Sequence, residues 1–154
     1  MEISFVIPIF NERENIPILI KKLEETVRRK YTEYEFILVD DGSTDSSDKV
    51  LMEESEGKPY IKPLFFKQNC GQTAALAAGF RYAEGDIVVS MDGDLQSEPS
   101  DIYFMIPFLK EYDMVNGIRS TREDGPIRKI SSMIGNSFRN FITGDNIRDT
   151  GCPL

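Results

Sequence analysis

In the stretch SMDGDLQSEP, residues 90–99, the carboxylates Asp92 and Asp94 stand one residue apart at the end of an apolar run, with Gln96 two positions further on. In an extended backbone alternate side chains point the same way, so the three would share one side. Two carboxylates and an amide oxygen are the hard donors that Mg²⁺ or Mn²⁺ takes, commonly together with phosphate oxygens and water. Two negative charges about 4 Å apart repel by about 4 kcal/mol at an effective dielectric near 20. Such a pair either stays away from a diphosphate or holds a cation against it. The plain alternative is a strand end followed by a turn, which Asp and Gly both favour.

A second acidic cluster lies in VDDGSTD, residues 39–45. A helix start explains part of it, with Ser43 or Thr44 as cap and Asp45 favouring the dipole. It does not explain both Asp40 and Asp41. A carboxylate there can accept the ring N–H of uracil or guanine, although acidic pairs also serve other phosphate sites. In KQNCGQTAALAAGF, residues 67–80, Asn69, Gly71 and Gln72 precede or open a helix of small residues. Backbone amides at such a start can approach a phosphate or sugar. Arg119 follows the strand-like MVNGI, and Arg128 with Lys129 opens a later helix. Cations do not offset a helix dipole at that end, so phosphate binding is a reasonable role for Arg128.

Composition removes several chemistries. The 154 residues contain no histidine, which excludes Ser/His/Asp and Cys/His nucleophiles and leaves no imidazole ligands for zinc. With 18 basic against 26 acidic residues and a net charge of −8, the balance argues against broad nucleic-acid binding, a mode that needs a basic face. Cys70 and Cys152 form no CxxC pair, which fits a reducing compartment. No basic and apolar leader precedes MEISFVIPIF, and the longest apolar run, IYFMIPFL, falls well short of the ~20 residues of a membrane helix.

The elements that must position these residues alternate. ISFVIPIF is strand-like, and NIPILIKKLEETVRRK has helical spacing with Ile16, Leu19, Ile20, Leu23 and Val27 on one face. YEFILVD, YIKPLFF and DIVVSMD read as further strands, separated by helices in TDSSDKVLMEES and GQTAALAAGFRYAEG. Apolar strands alternating with helices predict an α/β fold with a mostly parallel sheet covered on both faces. Ligands then sit beyond the carboxyl ends of the strands, where Asn11, Glu12, Asp40, Asp41, Asp92 and Asp94 all fall. SEPSDIYFMIPFLKEY reads as a helix that Pro107 should kink or split. DMVNGIR reads as a fifth strand and IRKISSMIGNSFRNFITG as a last helix, whose apolar stripe beside Arg128, Lys129 and Arg139 suits either the core or a membrane interface.

Taken in order, FVIPIFNERENI, ILVDDGSTDSS, NCGQTAALAAGF, MDGDLQSEP, YDMVNGIR, RKISSMIGN and RDTGC resemble glycosyltransferase family 2, and within it the polyisoprenyl-phosphate glycosyltransferases. The resemblance runs over essentially the whole chain. It implies a single Rossmann-like GT-A catalytic domain, with a nucleotide-binding half over about 1–96 and an acceptor-side part over about 97–154 that is incomplete at its C-terminus. It further implies a UDP- or GDP-linked sugar donor, Mg²⁺ or Mn²⁺, and a polyisoprenyl phosphate acceptor such as undecaprenyl or dolichyl phosphate. By resemblance, Asp92, Asp94 and Gln96 hold the metal. Pro8, Asn11, Glu12, Asp40, Asp41, Gly71, Gln72, Asp92 and Gly93 meet the nucleotide sugar, and Asp94, Asp149, Arg119 and Arg128 serve the reacting groups. Gly93 stands where alanine is frequent in the family. The expected place is the cytoplasmic side of the cell membrane, through peripheral contact or helices beyond this sequence. A homo-oligomer is left open. A polysaccharide or soluble glycan acceptor, or nucleotide binding without transfer, are the competing readings.

Overall fold

The computed structural model describes residues 2–117. Four strands, β1 (Ile3–Ile9), β2 (Tyr34–Asp40), β3 (Ile61–Phe65) and β4 (Ile87–Ser90), form a parallel sheet in the order β3-β2-β1-β4. Three helices connect them: α1 (Ile16–Val27), α2 (Ser47–Ser55) and α3 (Gln72–Tyr82). The strand order reverses at β1, with β2 on one side and β4 on the other. In open α/β sheets the crevice beside such a reversal is where ligands bind.

Strand and helix periodicities put the core where the sequence places it. Ile16, Leu19, Ile20, Leu23 and Val27, one face of α1, are each at most 1% exposed. On that side Phe5 and Phe36 meet edge to face at 5.8 Å, and Tyr60, whose ring also packs on Phe36, donates its hydroxyl hydrogen bond to Glu24 of α1 at 2.8 Å. The other face carries Val6, Ile37 and Val39 against Ala75 of α3. A Cβ added at Gly79 would lie 2.3 Å from Val6 Cγ1, so the backbone of α3 rests directly on the sheet. That contact is why this helix is built from small residues.

Beyond β4 the expected long helix is broken, as Pro107 requires. A 3₁₀ turn (Pro99–Asp101) leads into α4 (Ile102–Met105), and a second 3₁₀ turn (Ile106–Lys110) follows. The first compact unit ends at Phe104 and a second begins at Met105. The expected fifth strand is not formed over its described part: residues 113–117 carry no strand pairing, in keeping with the poor strand propensity of Asp113, Asn116 and Gly117. Cover over the sheet is also less even than expected, since Val88 on β4 is 44% exposed among the described residues. The last predicted helix, residues 127–144, lies outside the described residues.

The end of the sheet opposite the rim holds a buried carboxylate. Glu35 is 0% exposed. It accepts hydrogen bonds from the Ser4 hydroxyl and from the Glu84 backbone N–H at 2.7 Å, and its Oε2 makes a charge contact with Lys62 Nζ at 2.6 Å. Burial pushes the Glu35 carboxyl upward, but Lys62, Ser4 and Glu84 outweigh it and hold the group below its ordinary value. Lys62→Ala, which leaves this charge without its cation, should lower the unfolding free energy by about 2 kcal/mol in urea titration, reduced from the buried-pair figure because Lys62 is partly exposed. A depressed carboxylate stabilises the fold above its unfolded value and loses that contribution as pH falls through its folded value. The stability gap between wild type and Glu35→Gln should therefore narrow below about pH 4.5.

Candidate functional site

The loops after β1 and β2 are stitched together by short polar side chains. Asn11, at φ +57°, donates its backbone N–H to Ser43 Oγ at 2.9 Å, and its Oδ1 accepts from Thr44 N at 2.8 Å. Glu12 N donates to Ser47 Oγ at 3.0 Å, and Arg13 N donates to Asp45 Oδ2 at 3.1 Å. The predicted cap at Ser43 or Thr44 is not used. Helix α2 starts at Ser47, and it is Asp45 Oδ1 that accepts the Ser47 N–H at 3.0 Å. Ser43 is drawn away because its hydroxyl donates to Asp40.

The two neighbouring acids of DDGS part company. Asp40 is 3% exposed, and burial is the main cause that raises its carboxyl above the ordinary value, against the hydrogen bonds from Ser43. It lines a cleft of about 970 Å³ with Phe10, Met52, Phe65, Lys67 and Asn69. Asp41, 4% exposed, turns to the loop before α3 and accepts the Cys70 N–H at 2.7 Å and the Gly71 N–H at 2.9 Å. Adjacent strand residues take opposite sides, and here that alternation separates an acid facing a cleft from an acid that anchors the chain. Gly42 between them has φ +68°, and a Cβ there would fall 2.5 Å from the backbone carbon of Gln68. Only glycine permits this approach.

At the end of β4, Asp92 Oδ1 accepts a hydrogen bond from Gln72 Nε2 at 2.7 Å. The segment that follows is bent, not extended. Leu95 has φ +62°, and Asp94 Oδ1 accepts the Gln96 N–H at 3.0 Å. Period-two reasoning therefore does not apply to Asp92, Asp94 and Gln96. Gly93 packs against β1: a Cβ would meet Ile9 Cδ1 at 2.7 Å and Pro8 O at 3.3 Å, so alanine would require Ile9 to shift. Among the described residues no three His, Cys, Asp or Glu side chains gather as ion ligands. One or two carboxylates with an amide oxygen nearby is a donor set suited to a cation shared with substrate phosphates, which fits Mg²⁺ or Mn²⁺.

The rim therefore joins Pro8, Asn11, Glu12, Asp40, Asp41, Asp92 and Gly93, at or just beyond the carboxyl ends of β1, β2 and β4, with Gly71 and Gln72 at the start of α3. A model of glycosyl transferase family 2 matches residues 4–153. The chain belongs to that family. It is 38% identical over 154 residues to an undecaprenyl-phosphate 4-deoxy-4-formamido-L-arabinose transferase from Pectobacterium atrosepticum and 37% identical to the enzyme of that name from Photorhabdus laumondii. In both cases 99% of the chain is aligned, and it spans about half of these relatives, 47% and 48%. Among solved structures it resembles a mannosyltransferase from Pyrobaculum calidifontis in complex with GDP-mannose and Mn²⁺, with TM-score 0.58, 24% identity, and 66% of this chain against 30% of that one. Glucosyl-3-phosphoglycerate synthase from Mycobacterium tuberculosis gives TM-score 0.66 at 22% identity, covering 90% of this chain and 50% of that one. These likenesses establish the Rossmann-like GT-A arrangement.

In this family 2 protein, Arg119, Arg128 and Asp149 lie outside the described residues. Sequence reasoning passed over Phe10, Met52 and Phe65, which are 45%, 57% and 43% exposed on the cleft wall. The signal for Phe10 was an aromatic side chain immediately after a strand, at a polar rim. Nothing in the local pattern marks Met52 or Phe65, because their meeting depends on α2 packing beside β3.

Opposite outcomes are expected for the two acids. Asp41→Ala leaves two backbone N–H groups without their acceptor and should cost about 2–4 kcal/mol in urea unfolding. For Asp40, the raised carboxyl value means that its charge is penalised in the fold above that value, pH 7 included, and the penalty fades as pH falls below it. Asp40→Asn should therefore melt no lower than wild type at pH 7, while weakening any ligand that donates to the carboxylate.

Proposed function

We propose that the chain is the nucleotide-sugar-binding part of a metal-dependent inverting glycosyltransferase that moves a sugar from a nucleoside diphosphate sugar to a polyisoprenyl phosphate, undecaprenyl phosphate in the first instance. The observation that carries this reading is the placement of Asp40 at the end of β2 and of Asp92 just beyond the end of β4, the two strands that flank β1. Two strand spacings separate them by about 10 Å, a span suited to a nucleoside diphosphate lying across β1. The relatives' names supply the acceptor class.

In the transfer, a phosphate oxygen of the lipid attacks the anomeric carbon from the face opposite the leaving group. The new carbon–oxygen bond forms as the bond to the donor's β-phosphate breaks, and the nucleoside diphosphate leaves with the electron pair. The attacking phosphate is already anionic near neutral pH, so no strong general base is needed. A chain without histidine is compatible with that requirement. Asp40 accepts a ring N–H of the base, and the apolar wall of Phe10 and Phe65 covers the base against water. Asp92, Asp94 and Gln96 would hold a divalent cation, and the chemistry it would supply there is positive charge to offset the departing diphosphate. Arg119 and Arg128 bind phosphates of donor or acceptor, and Asp149 orients the acceptor or the sugar. The action takes place at the cytoplasmic face of a membrane, where lipid phosphate and soluble donor meet. Among the described residues no helix is long and apolar enough to cross a membrane.

Melting curves with UDP, GDP and CMP, each with and without Mn²⁺, test the donor site. A ligand at one hundred times its dissociation constant adds about 2.7 kcal/mol to the folded state, so one diphosphate should raise Tm by several degrees, and only with the metal. Equal shifts in excess chelator would overturn the metal dependence. Transfer of labelled sugar to undecaprenyl phosphate, abolished in Asp92→Asn, tests the reaction itself.

A further inference from the structure

We propose that Lys67 is a base-reading residue of the donor cleft: its ammonium donates to the carbonyl oxygen beside the ring N–H that Asp40 accepts, so that the two side chains together hold the edge of a uracil or guanine base. The inference rests on the reading of Asp40 as the acceptor for that N–H and adds to it the group that meets the neighbouring oxygen.

Strand register places the pair. Asp40, the last residue of β2, stands opposite Phe65, the last residue of β3, and the Phe66 N–H donates to the Asp40 carbonyl at 2.8 Å. Lys67 follows two residues beyond Phe65. A strand spacing of about 4.8 Å and a rise of about 3.3 Å per residue put the two backbones about 8 Å apart. Both side chains line the same cleft, together with the apolar Phe10 and Phe65.

Both polar groups keep capacity for a ligand. The hydrogen bonds from Ser43 go to Asp40 Oδ1, which leaves Oδ2 as the accepting oxygen. Among the described residues the Lys67 ammonium makes no ion pair, although Asp48 and Glu53 line the same cleft. The charges that act on the Asp40 carboxyl are those of Asp48 and Asp45, with no lysine among them. The ammonium thus stands off from the carboxylate, and the interval between them is open cleft. Lys49 lines the cleft too, but Glu53 follows it by four positions on α2, the spacing of a helical ion pair. Lys67 has no acid within four residues on either side.

Sheet order separates the base from the phosphates. Among the described strands β3 lies at one edge and β4 at the other, so three spacings, about 14 Å, divide the end of β3 from the end of β4. In the proposed pose the diphosphate lies at Asp92 and Asp94, beyond β4. A cation on the β3 side therefore meets the base end of the donor. A charged donor makes a stronger hydrogen bond to a carbonyl than a neutral one does, and the flexible four-carbon stem of lysine can bring it there.

The experiment compares wild type, Lys67→Met, Lys67→Arg and Asp40→Asn. The probes are uridine and guanosine, which carry the base without phosphate, and UDP and GDP with Mn²⁺. Nucleoside affinity is read by NMR titration and nucleotide affinity by calorimetry. For whichever base binds, Lys67→Met should weaken nucleoside and nucleotide by the same factor, about tenfold for a hydrogen bond from a charged donor. Ligand-free Tm should not change, because Lys67 is exposed. Lys67→Arg, which keeps a charged donor, should recover most of the loss. A fall in nucleotide affinity with nucleoside affinity unchanged would assign Lys67 to phosphate and overturn the proposal. Affinities within about twofold of wild type in Lys67→Met would overturn it as well, while Asp40→Asn still loses the nucleoside. Nucleoside affinity unchanged in Asp40→Asn, or no nucleoside binding by wild type, would overturn the base reading and this inference with it.

Discussion

The buried carboxylate of Asp41 is the constraint on which the rim depends. A loop that leaves β3 and turns into α3 carries backbone amides with no strand partner, and each such amide needs an acceptor if it is to be withdrawn from water. Asp41 gives one oxygen to each of two consecutive amides. An ionised acceptor makes these bonds stronger than a neutral one would. Two bonds from one planar group also fix direction as well as distance, so the start of α3 is set relative to the end of β2. Everything placed by α3, including Gln72 and the small-residue face that lies on Val6 and Val39, inherits that placement.

Acidic residues at this edge are managed in three different ways. Asp41 is satisfied by backbone amides and Asp45 by Ser47 and the Arg13 amide. Asp40 is withdrawn from water with a hydroxyl on one oxygen, and its carboxyl is raised. Asp92 accepts a hydrogen bond from the Gln72 side-chain amide. A protein of net charge −8 that concentrates carboxylates beside a polyanionic ligand must either consume those charges internally or set a cation among them. The hydrogen bonds at Asp41 and Asp45 do the first, and the arrangement proposed for Asp92 and Asp94 does the second.

Much of this could be read from residues in order. The apolar spacing of Ile16, Leu19, Ile20, Leu23 and Val27 specified α1 and its buried face, and four apolar segments separated by helices specified a parallel sheet. Pro107 announced a break in the helix after β4. The turn around Asp94 was misjudged because Leu95 adopts a left-handed conformation that a leucine gives no reason to expect. The helix cap was misplaced for a related reason: Ser43 is a good cap by type, but a buried carboxylate three residues earlier competes for its hydroxyl.

The sequence by itself determined the alternation of elements, the core faces and the chemical character of the rim, because these follow from side-chain periodicity and from which groups can ionise. Tertiary structure alone decided that Asp40 and Asp41 have separate duties, that Gln72 reaches Asp92 across 20 positions, and that Phe10 and Phe65 wall one cleft. Those outcomes depend on which strands become neighbours and on how closely α3 approaches the sheet. Strand order and helix approach are fixed by packing between segments distant in the chain, and no local pattern of residues records them.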